Sequence, residues 1–377
     1  MKNIPLYLAT LKVGTGKSTL VKYIIDALDL DPNDVCYSAY TGKACMVLKE
    51  KGNEPVFTLH KLIYKNMYDP LTDTYYRVPK EELEHNFIIV DECSMVPENM
   101  FEDLMRYMGI YVIFLGDPAQ IPPIGTKDNF LLREPHVFLD EIMRQALDNE
   151  IIKFSMDVRL YNQLPNEYSG KNVRIIPKDQ LNDSMLKWAD QIICSTNATR
   201  VTFNNRMRKI LGKSGAPQVG DKLICLTNNW DKFDSDGNPL VNGTIGEVIE
   251  IETILKSYPI SFTRKKVNYS RKIEVYKVKL LLGDNITLET YIDTKAFHGL
   301  EPQLSNQERN KLKKSRYKAL VPDDFDYAYA ITAWKAQGSQ YNKILIYEED
   351  YPQNEDMHKR VMYTAITRAV DKVVIVR

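Results

Sequence analysis

A single segment near the start restricts this chain more than any other. Ile4–Ala9 reads as a short buried strand and Leu11-Lys-Val-Gly-Thr-Gly-Lys-Ser18 follows it. Leu20, Val21, Ile24, Ile25 and Leu28 then recur on one side of a helix. Strand, glycine loop, Lys-Ser and helix, in that order, form the context of a phosphate-binding loop. Backbone N–H groups from Gly14, Thr15, Gly16 and Lys17 would face the phosphates, helped by the positive end of the helix. Lys17 would reach the β- and γ-phosphates, and Ser18, with Thr19 beside it, would bring a hydroxyl to Mg²⁺. The plain alternative is a glycine turn before a helix. Leu11 stands where the pattern GxxxxGK[ST] expects glycine, so a backbone shape that only glycine adopts freely would be strained there. The expected consequence falls on catalytic competence more than on phosphate binding.

Two further apolar runs end in polar groups. Phe87-Ile-Ile-Val-Asp-Glu92 sets Asp91 and Glu92 at the carboxyl end of a buried strand. Beside a phosphate loop, Asp91 would hold the metal ion and Glu92 would polarise the attacking water; elsewhere such a pair is a solvated turn. Tyr111-Val-Ile-Phe-Leu-Gly-Asp-Pro-Ala-Gln120 ends in Gln120, which both donates and accepts and so suits sensing of a terminal phosphate or its water. Asp117 is either part of that group or a turn former.

Composition narrows the setting. The 377 residues suit two or three domains, and the 44% hydrophobic content supplies real cores. No window has the uninterrupted apolar length of a membrane span, and the N-terminal run leads into the glycine loop rather than into a cleavage site. Lys and Arg number 50, as do Asp and Glu, so any grip on nucleic acid must come from local charge and stacking rather than net charge. The 23 tyrosines supply material for stacking, although core and strand positions account for most tyrosines in a fold. Five scattered cysteines with no CxxC spacing read as buried free thiols in a reducing cytoplasm.

The ordered set GTGKS, DECSM, GDPAQIPPIG, LDEIMRQ, AITAWKAQGSQ and VMYTAITRA resembles the superfamily 1B helicases in the RecD and Dda branch. Tyr40-Thr-Gly-Lys-Ala44 is similar to that family's motif Ia, and Thr58-Leu-His60 to its motif Ib. The matches run from Leu11 to Ala369, nearly the whole chain. The resemblance implies an α/β fold of two RecA-like P-loop domains, ATP and Mg²⁺ as cofactors, and single-stranded DNA and duplex junctions as partners of a monomer. It implies that Arg144 and Arg368 touch the γ-phosphate from the second motor domain, a role suited to the charge that develops in phosphoryl transfer. Gln337 and Gly338 would lie near the same cleft. Thr41, Lys43, Thr58 and His60 would touch the strand from the first motor domain, and Asn197 and Thr332 from the second, through groups that read no sequence. Trp334 replaces the family's His before Lys335; it can stack on a base or serve as a structural Trp. The family also carries a Gln-bearing helix upstream of the P-loop that reads adenine. Ten residues precede Leu11 here, so either the chain is a shortened form or its base specificity is relaxed.

The same resemblance divides the chain. Residues 1–140 would be the first RecA-like domain, 1A, with 64–86 a small hairpin insertion, 1B. Turn residues between aromatic runs favour a hairpin there, and Tyr75 or Tyr76 would be the wedge of a duplex-splitting pin, or else would pack the hairpin on the motor. Residues 141–218 and 323–377 would be the second, 2A. Between them, 219–322 changes to short runs such as Lys222–Leu226, Gly246–Ile251 and Ile273–Leu280 between Gly and Asn turns, a small β-barrel insertion that the family makes SH3-like, 2B. Gln307–Arg316 is basic and helical, a solvated surface by default. The expected activity is ATP-driven translocation on single-stranded DNA, with 5′ to 3′ direction given by the family alone. A degenerate NTPase that only holds single strands and an RNA-directed helicase are the alternatives.

Overall fold

The computed structural model describes residues 6–10, 17–69, 74–123, 126, 129–139, 149–262, 267–282, 285–349 and 354–377. Its first sheet grows from apolar runs bounded by turns: β1 (Leu6–Thr10), β2 (Val35–Ala39) and β3 (Val56–Thr58). After these come the pair β4 (Tyr64–Asp69) and β5 (Thr74–Pro79), then β6 (Phe87–Asp91), β7 (Tyr111–Gly116) and β8 (Val137–Leu139). Apart from β4 and β5, which pair only with each other, these strands form a parallel sheet in the order β3-β2-β6-β7-β1-β8. Helices α1 (Lys17–Ala27), α2 (Gly42–Glu50), α3 (Leu59–Ile63) and α4 (Glu98–Leu104) connect them.

The period of two shows why the central strands read as continuous apolar runs. Ile88 and Val90 of β6 and Val112 and Phe114 of β7 face one core with Leu59, Ile63, Met100 and Leu104. Phe87, Ile89, Ile113 and Leu115 face the other, against Val21 of α1. Both faces are covered, as a parallel sheet requires, and each large apolar side chain so buried contributes about 1.5–3 kcal/mol. Helix α1 ends at Ala27, and Leu28, expected on its buried side, is exposed just before the left-handed Asp29.

The chain continues through α5 (Glu150–Tyr161), β9 (Tyr168–Ser169), β10 (Val173–Ile176), α6 (Asp183–Trp188), β11 (Gln191–Cys194) and α7 (Asn197–Ile210). There follow β12 (Lys222–Cys225), β13 (Asn229–Phe233), β14 (Pro239–Leu240), β15 (Ile245–Phe262), β16 (Val267–Leu281) and β17 (Thr287–Asp293). Next are α8 (Thr294–Phe297), α9 (Asn306–Lys313) and β18 (Phe325–Tyr327). β19 (Ala330–Thr332), α10 (Ala333–Ala336), β20 (Tyr341–Tyr347), α11 (Glu355–Ile366) and β21 (Ala369–Val376) complete it.

Two compact units result, Met1–Arg200 with Ile331–Arg377, and Val201–Ala330. The first holds the parallel sheet above and a second six-stranded sheet, β19-β11-β20-β21-β10-β9. In the second unit the order β17-β16-β15-β12-β18 is antiparallel. Its strands β15 and β16, 18 and 15 residues long, run far beyond the short stretches legible in the sequence. Their proximal halves bury Val248, Val278 and Leu280, while Tyr258, Ile260 and Ile273 of the distal halves form a second core with Leu304 and Leu312. Helix α9 covers that core and starts in a capping box between Ser305 and Glu308. Within the first core's layer, Lys232 and Asp323 form a buried ion pair that Thr290 and Asn229 complete with hydrogen bonds.

Candidate active site

Because the strands of the first sheet are parallel, their carboxyl ends share one edge, where ligands of open α/β sheets bind. Register places Ala39 opposite Asp91 and opposite Thr58, and Ala9 opposite Gly116. The segments following β2, β3, β6 and β7 therefore all leave from that edge, and β1 ends at it. They are the segments singled out from sequence.

Lys17 and Ser18 open α1, so their backbone stands at the helix N-terminus. The side chains of Lys17, Ser18 and Thr19, and all of Leu11, Gly14, Thr15 and Gly16, lie outside the described residues, as does Arg144. Asp91 ends β6, and its Oδ1 accepts the Glu92 amide at 2.8 Å. Glu92 is left-handed, φ 52°, a conformation that costs a non-glycine residue about 1–3 kcal/mol and that clusters at functional sites. Its Oε2 is buried with no hydrogen-bond partner among the described residues.

Gln120 is 3% exposed, and its Oε1 also lacks a partner among the described residues, as does Oε1 of Gln337. Gln337 Nε2 donates to the Ile121 carbonyl at 3.1 Å, which ties the loop after β7 to the loop after α10. A Cβ on Gly338 (φ 71°) would lie 3.4 Å from Ala44 Cβ, so these loops approach α2 closely. Lys43, one residue earlier, places its ammonium 5.6 Å from the Tyr341 ring centre, and burial pushes it down to about 8. Arg368 is buried. Its Nε donates to Thr364 O at 3.1 Å, Nη2 to Thr367 Oγ1 at 3.0 Å and Nη1 to Ser339 O at 3.5 Å. These hydrogen bonds of the Arg368 guanidinium all go to neutral groups among the described residues. Among the described residues no group of three or more His, Cys, Asp or Glu could cage a metal. A hard cation that keeps phosphate and water oxygens needs only one or two protein ligands, so a carboxylate such as Asp91 at the strand end suits one chemically.

The residues expected to touch a strand are less uniform. Thr41 and Thr58 each cap a helix, accepting from Ala44 N at 3.2 Å and Lys61 N at 3.3 Å, and Thr58 is 4% exposed. His60 sits between the rings of Tyr40 and Tyr64 at 5.6 and 6.1 Å. Asn197 is exposed at the start of α7, where its Oδ1 accepts from Arg200 Nε at 3.2 Å. Thr332 is buried at the start of α10 and makes no side-chain cap bond; Trp334, on that helix, is half-buried. Tyr75 pairs with Tyr68 and Tyr76 with Met67 along the β4–β5 hairpin, while their side chains lie outside the described residues.

Sequence reasoning missed what surrounds Asp117. Its Oδ1 accepts from Ala119 N at 3.0 Å, a turn-forming bond, and from Arg159 Nη1 at 2.6 Å; its Oδ2 accepts from the Tyr363 hydroxyl. The turn-forming role expected of Asp117 is present, and its other oxygen contacts belong to a buried network. Tyr363 lies within VMYTAITRA, which could have flagged it, whereas no motif marks Arg159. Gly116 was missed as well: a Cβ there would meet Cys93 Sγ at 2.6 Å.

The comparisons with known proteins agree at both ends of the chain. Residues 5–126 match the model of an AAA domain, and residues 327–376 that of a UvrD-like helicase C-terminal domain. The chain is 23% identical to the ATP-dependent RecD2 DNA helicase of Deinococcus radiodurans, over 95% of this chain but only 45% of that protein. It is 23% identical to the ATP-dependent DNA helicase dda of Enterobacteria phage T4, over 94% of this chain and 90% of that one. The crystal structure of Pif1 helicase from Candida albicans has the same α/β fold, with a TM-score of 0.52 at 18% identity, covering all (100%) of this chain and 91% of that one. Matched at its head by one model and at its tail by the other, and aligned along nearly its whole length with RecD2 and dda, the chain carries an AAA and a UvrD-like C-terminal domain and is similar to superfamily 1B helicases.

Proposed function

We propose that this chain is an ATP-dependent translocase and helicase on single-stranded DNA, moving 5′ to 3′ and opening duplex junctions. The observation that carries the reading is the chain of bonds that joins the loops of Gln120, Gln337 and Arg368: Gln337 Nε2 donates to Ile121 O, Ile121 N to Thr364 Oγ1 and Arg368 Nε to Thr364 O, while Oε1 of Gln120 and of Gln337 has no partner among the described residues. In this reading residues 1–140 are one RecA-like domain, 141–218 with 323–377 the other, and 219–322 an SH3-like insertion. Lys17 and the amides of Gly14 to Lys17 bind the phosphates, and Ser18 and Asp91 hold Mg²⁺. The bound metal supplies Lewis-acid charge that draws electron density from the transferring phosphoryl group. Glu92 orients the attacking water and takes its proton; Gln120 senses the terminal phosphate; Arg144 and Arg368 neutralise the charge that develops there. Thr41, Lys43, Thr58, His60, Asn197, Thr332 and Trp334 line the path of the strand, and the β4–β5 hairpin with Tyr75 and Tyr76 is the pin.

Unwinding of duplexes with a 5′ or a 3′ single-stranded tail, with and without ATP, tests this directly. Unwinding from the 5′ tail alone supports the whole reading. Hydrolysis without unwinding reduces it to a translocase, and stimulation by RNA in preference to DNA makes it an RNA helicase. Strand affinity with no turnover leaves a binding module, and a Lys17→Ala chain that hydrolyses ATP at the parent rate removes the P-loop from the mechanism.

A further inference from the structure

The loop Asp117–Ile121 leaves the first sheet, yet most of its hydrogen bonds outside itself reach across to the second. Arg159 of α5 and Tyr363 of α11 take the two oxygens of Asp117, and Arg159 Nη1 also donates to the Tyr363 hydroxyl at 3.1 Å. Arg360 Nη1 donates to the carbonyls of Pro118 at 2.6 Å and Gln120 at 3.3 Å. Ile121 N donates to Thr364 Oγ1 at 3.2 Å. Asp117, Arg159 and Tyr363 are 1%, 5% and 0% exposed, so their polar bonds stand in for all solvation.

Helix geometry turns these contacts into a linkage. Arg360 and Thr364, four apart, fall along one side of α11, and Arg368 follows in the turn past its C-cap Thr367, held back to the helix by its bond to Thr364 O. Thr364 belongs to both ends of the chain of bonds: its hydroxyl accepts from Ile121 N, and its carbonyl accepts from Arg368 Nε. The segment that presents Gln120 and the segment that presents Arg368 are therefore fastened to one helix. Gln120 Oε1 has no hydrogen-bond partner among the described residues.

We infer that Arg159 and Tyr363 are positioning residues: by gripping Asp117 they hold the Gln120 loop against α11, which fixes Gln120 and Arg368 relative to each other at the terminal phosphate. This rests on the ATP-hydrolysing reading above. It assigns a role to two side chains that touch neither nucleotide nor strand, one of them outside every motif of the sequence.

The test uses the full chain with Tyr363→Phe, which removes one hydroxyl, and Arg159→Lys, which keeps the charge and loses the planar fork. Binding of ADP and of ADP with aluminium fluoride is measured separately, beside strand-stimulated hydrolysis and the melting temperature. Positioning predicts that affinity for ADP with aluminium fluoride falls about tenfold, within the range of coupled buried networks, while ADP affinity holds within about twofold. Strand-stimulated kcat would fall by a similar factor at nearly constant KM. Equal losses for both nucleotide forms, or a lowered melting temperature with normal nucleotide binding and kcat, would overturn it. A parent chain with no strand-stimulated hydrolysis, and no preference for the fluoride complex over ADP, would instead remove the underlying reading.

Discussion

The Lys43 ammonium stands 5.6 Å from the centre of the Tyr341 ring, one contributed by α2 of the first sheet and the other by β20 of the second. Desolvation outweighs the pull of Glu50 and brings the ammonium down to about 8. A lysine in the unfolded chain titrates near 10.4, so the folded protein releases this proton first. Stability gains from that release as pH rises through the window between the two values, and below about 8 the desolvation cost is carried in full. A phosphate at Lys43 favours the charged form. Strand affinity should hold up to about pH 8 and decline above it, and Lys43→Gln should flatten the decline. Fluorescence anisotropy of a labelled strand across that range checks this; an unchanged profile in the variant would rule the contact out.

Glu92 is fixed by its left-handed backbone and by the bond from its amide to Asp91. Glu92→Gln keeps the shape and removes the proton acceptor. Hydrolysis should fall by about 10²–10⁴-fold, with nucleotide affinity close to that of the parent. Single-turnover hydrolysis and nucleotide titration separate the two, and a parent-like rate would take Glu92 out of the chemistry.

Glu349 sits beyond β20 and accepts from Ser195 N, from Thr196 N at 2.9 Å, from Thr196 Oγ1 at 2.8 Å and from Thr199 Oγ1. Desolvation opposes its ionisation, but these donors together hold the carboxyl below its ordinary range. Its stabilising effect is thus present above the ordinary carboxylate pKa and lost as pH falls through the lowered one. Glu349→Gln should cost about 1–2 kcal/mol, as the weakening of hydrogen bonds to a charged group does, and should lessen the steepness of acid unfolding. Thermal melts at neutral and acid pH measure both effects.

Gly116 has no room for a methyl group: a Cβ would lie 2.6 Å from Cys93 Sγ and 3.0 Å from Leu132 Cδ1. Gly116→Ala should destabilise by about 1–3 kcal/mol, the usual cost of overpacking. Adding Cys93→Ala should return part of that loss, since neighbouring substitutions couple. Equal melting temperatures for the parent and Gly116→Ala would contradict the packing described here.

The parts of this fold that depend on neighbouring residues were legible in the sequence. Ile88, Ile89 and Val90 announce a strand covered on both faces, and the acidic pair after it follows from where that run stops. The ribbon β15–β16 was underread because Lys256-Ser257 and Arg271-Lys272 interrupt the apolar pattern; they pair across the ribbon as Lys256 with Ile273 and Ser257 with Lys272. Leu28 was placed on the buried face by extending the helical period one residue past the end of α1. The network at Asp117 was out of reach for another reason. Arg159 is 42 residues away and Tyr363 246, and no local pattern encodes a meeting at that distance.

The thiols have a practical consequence. All five cysteines are buried and none is in a disulfide, and burial pushes Cys36, Cys45, Cys194 and Cys225 up to about 12. At neutral pH a maleimide reacts with thiolate, which these positions hardly supply. A single cysteine introduced on the surface, at Met108 or Val370 for example, would take a dye in the otherwise native chain. Motion between the two sheets can then be followed by fluorescence without stripping the protein of its own sulfur.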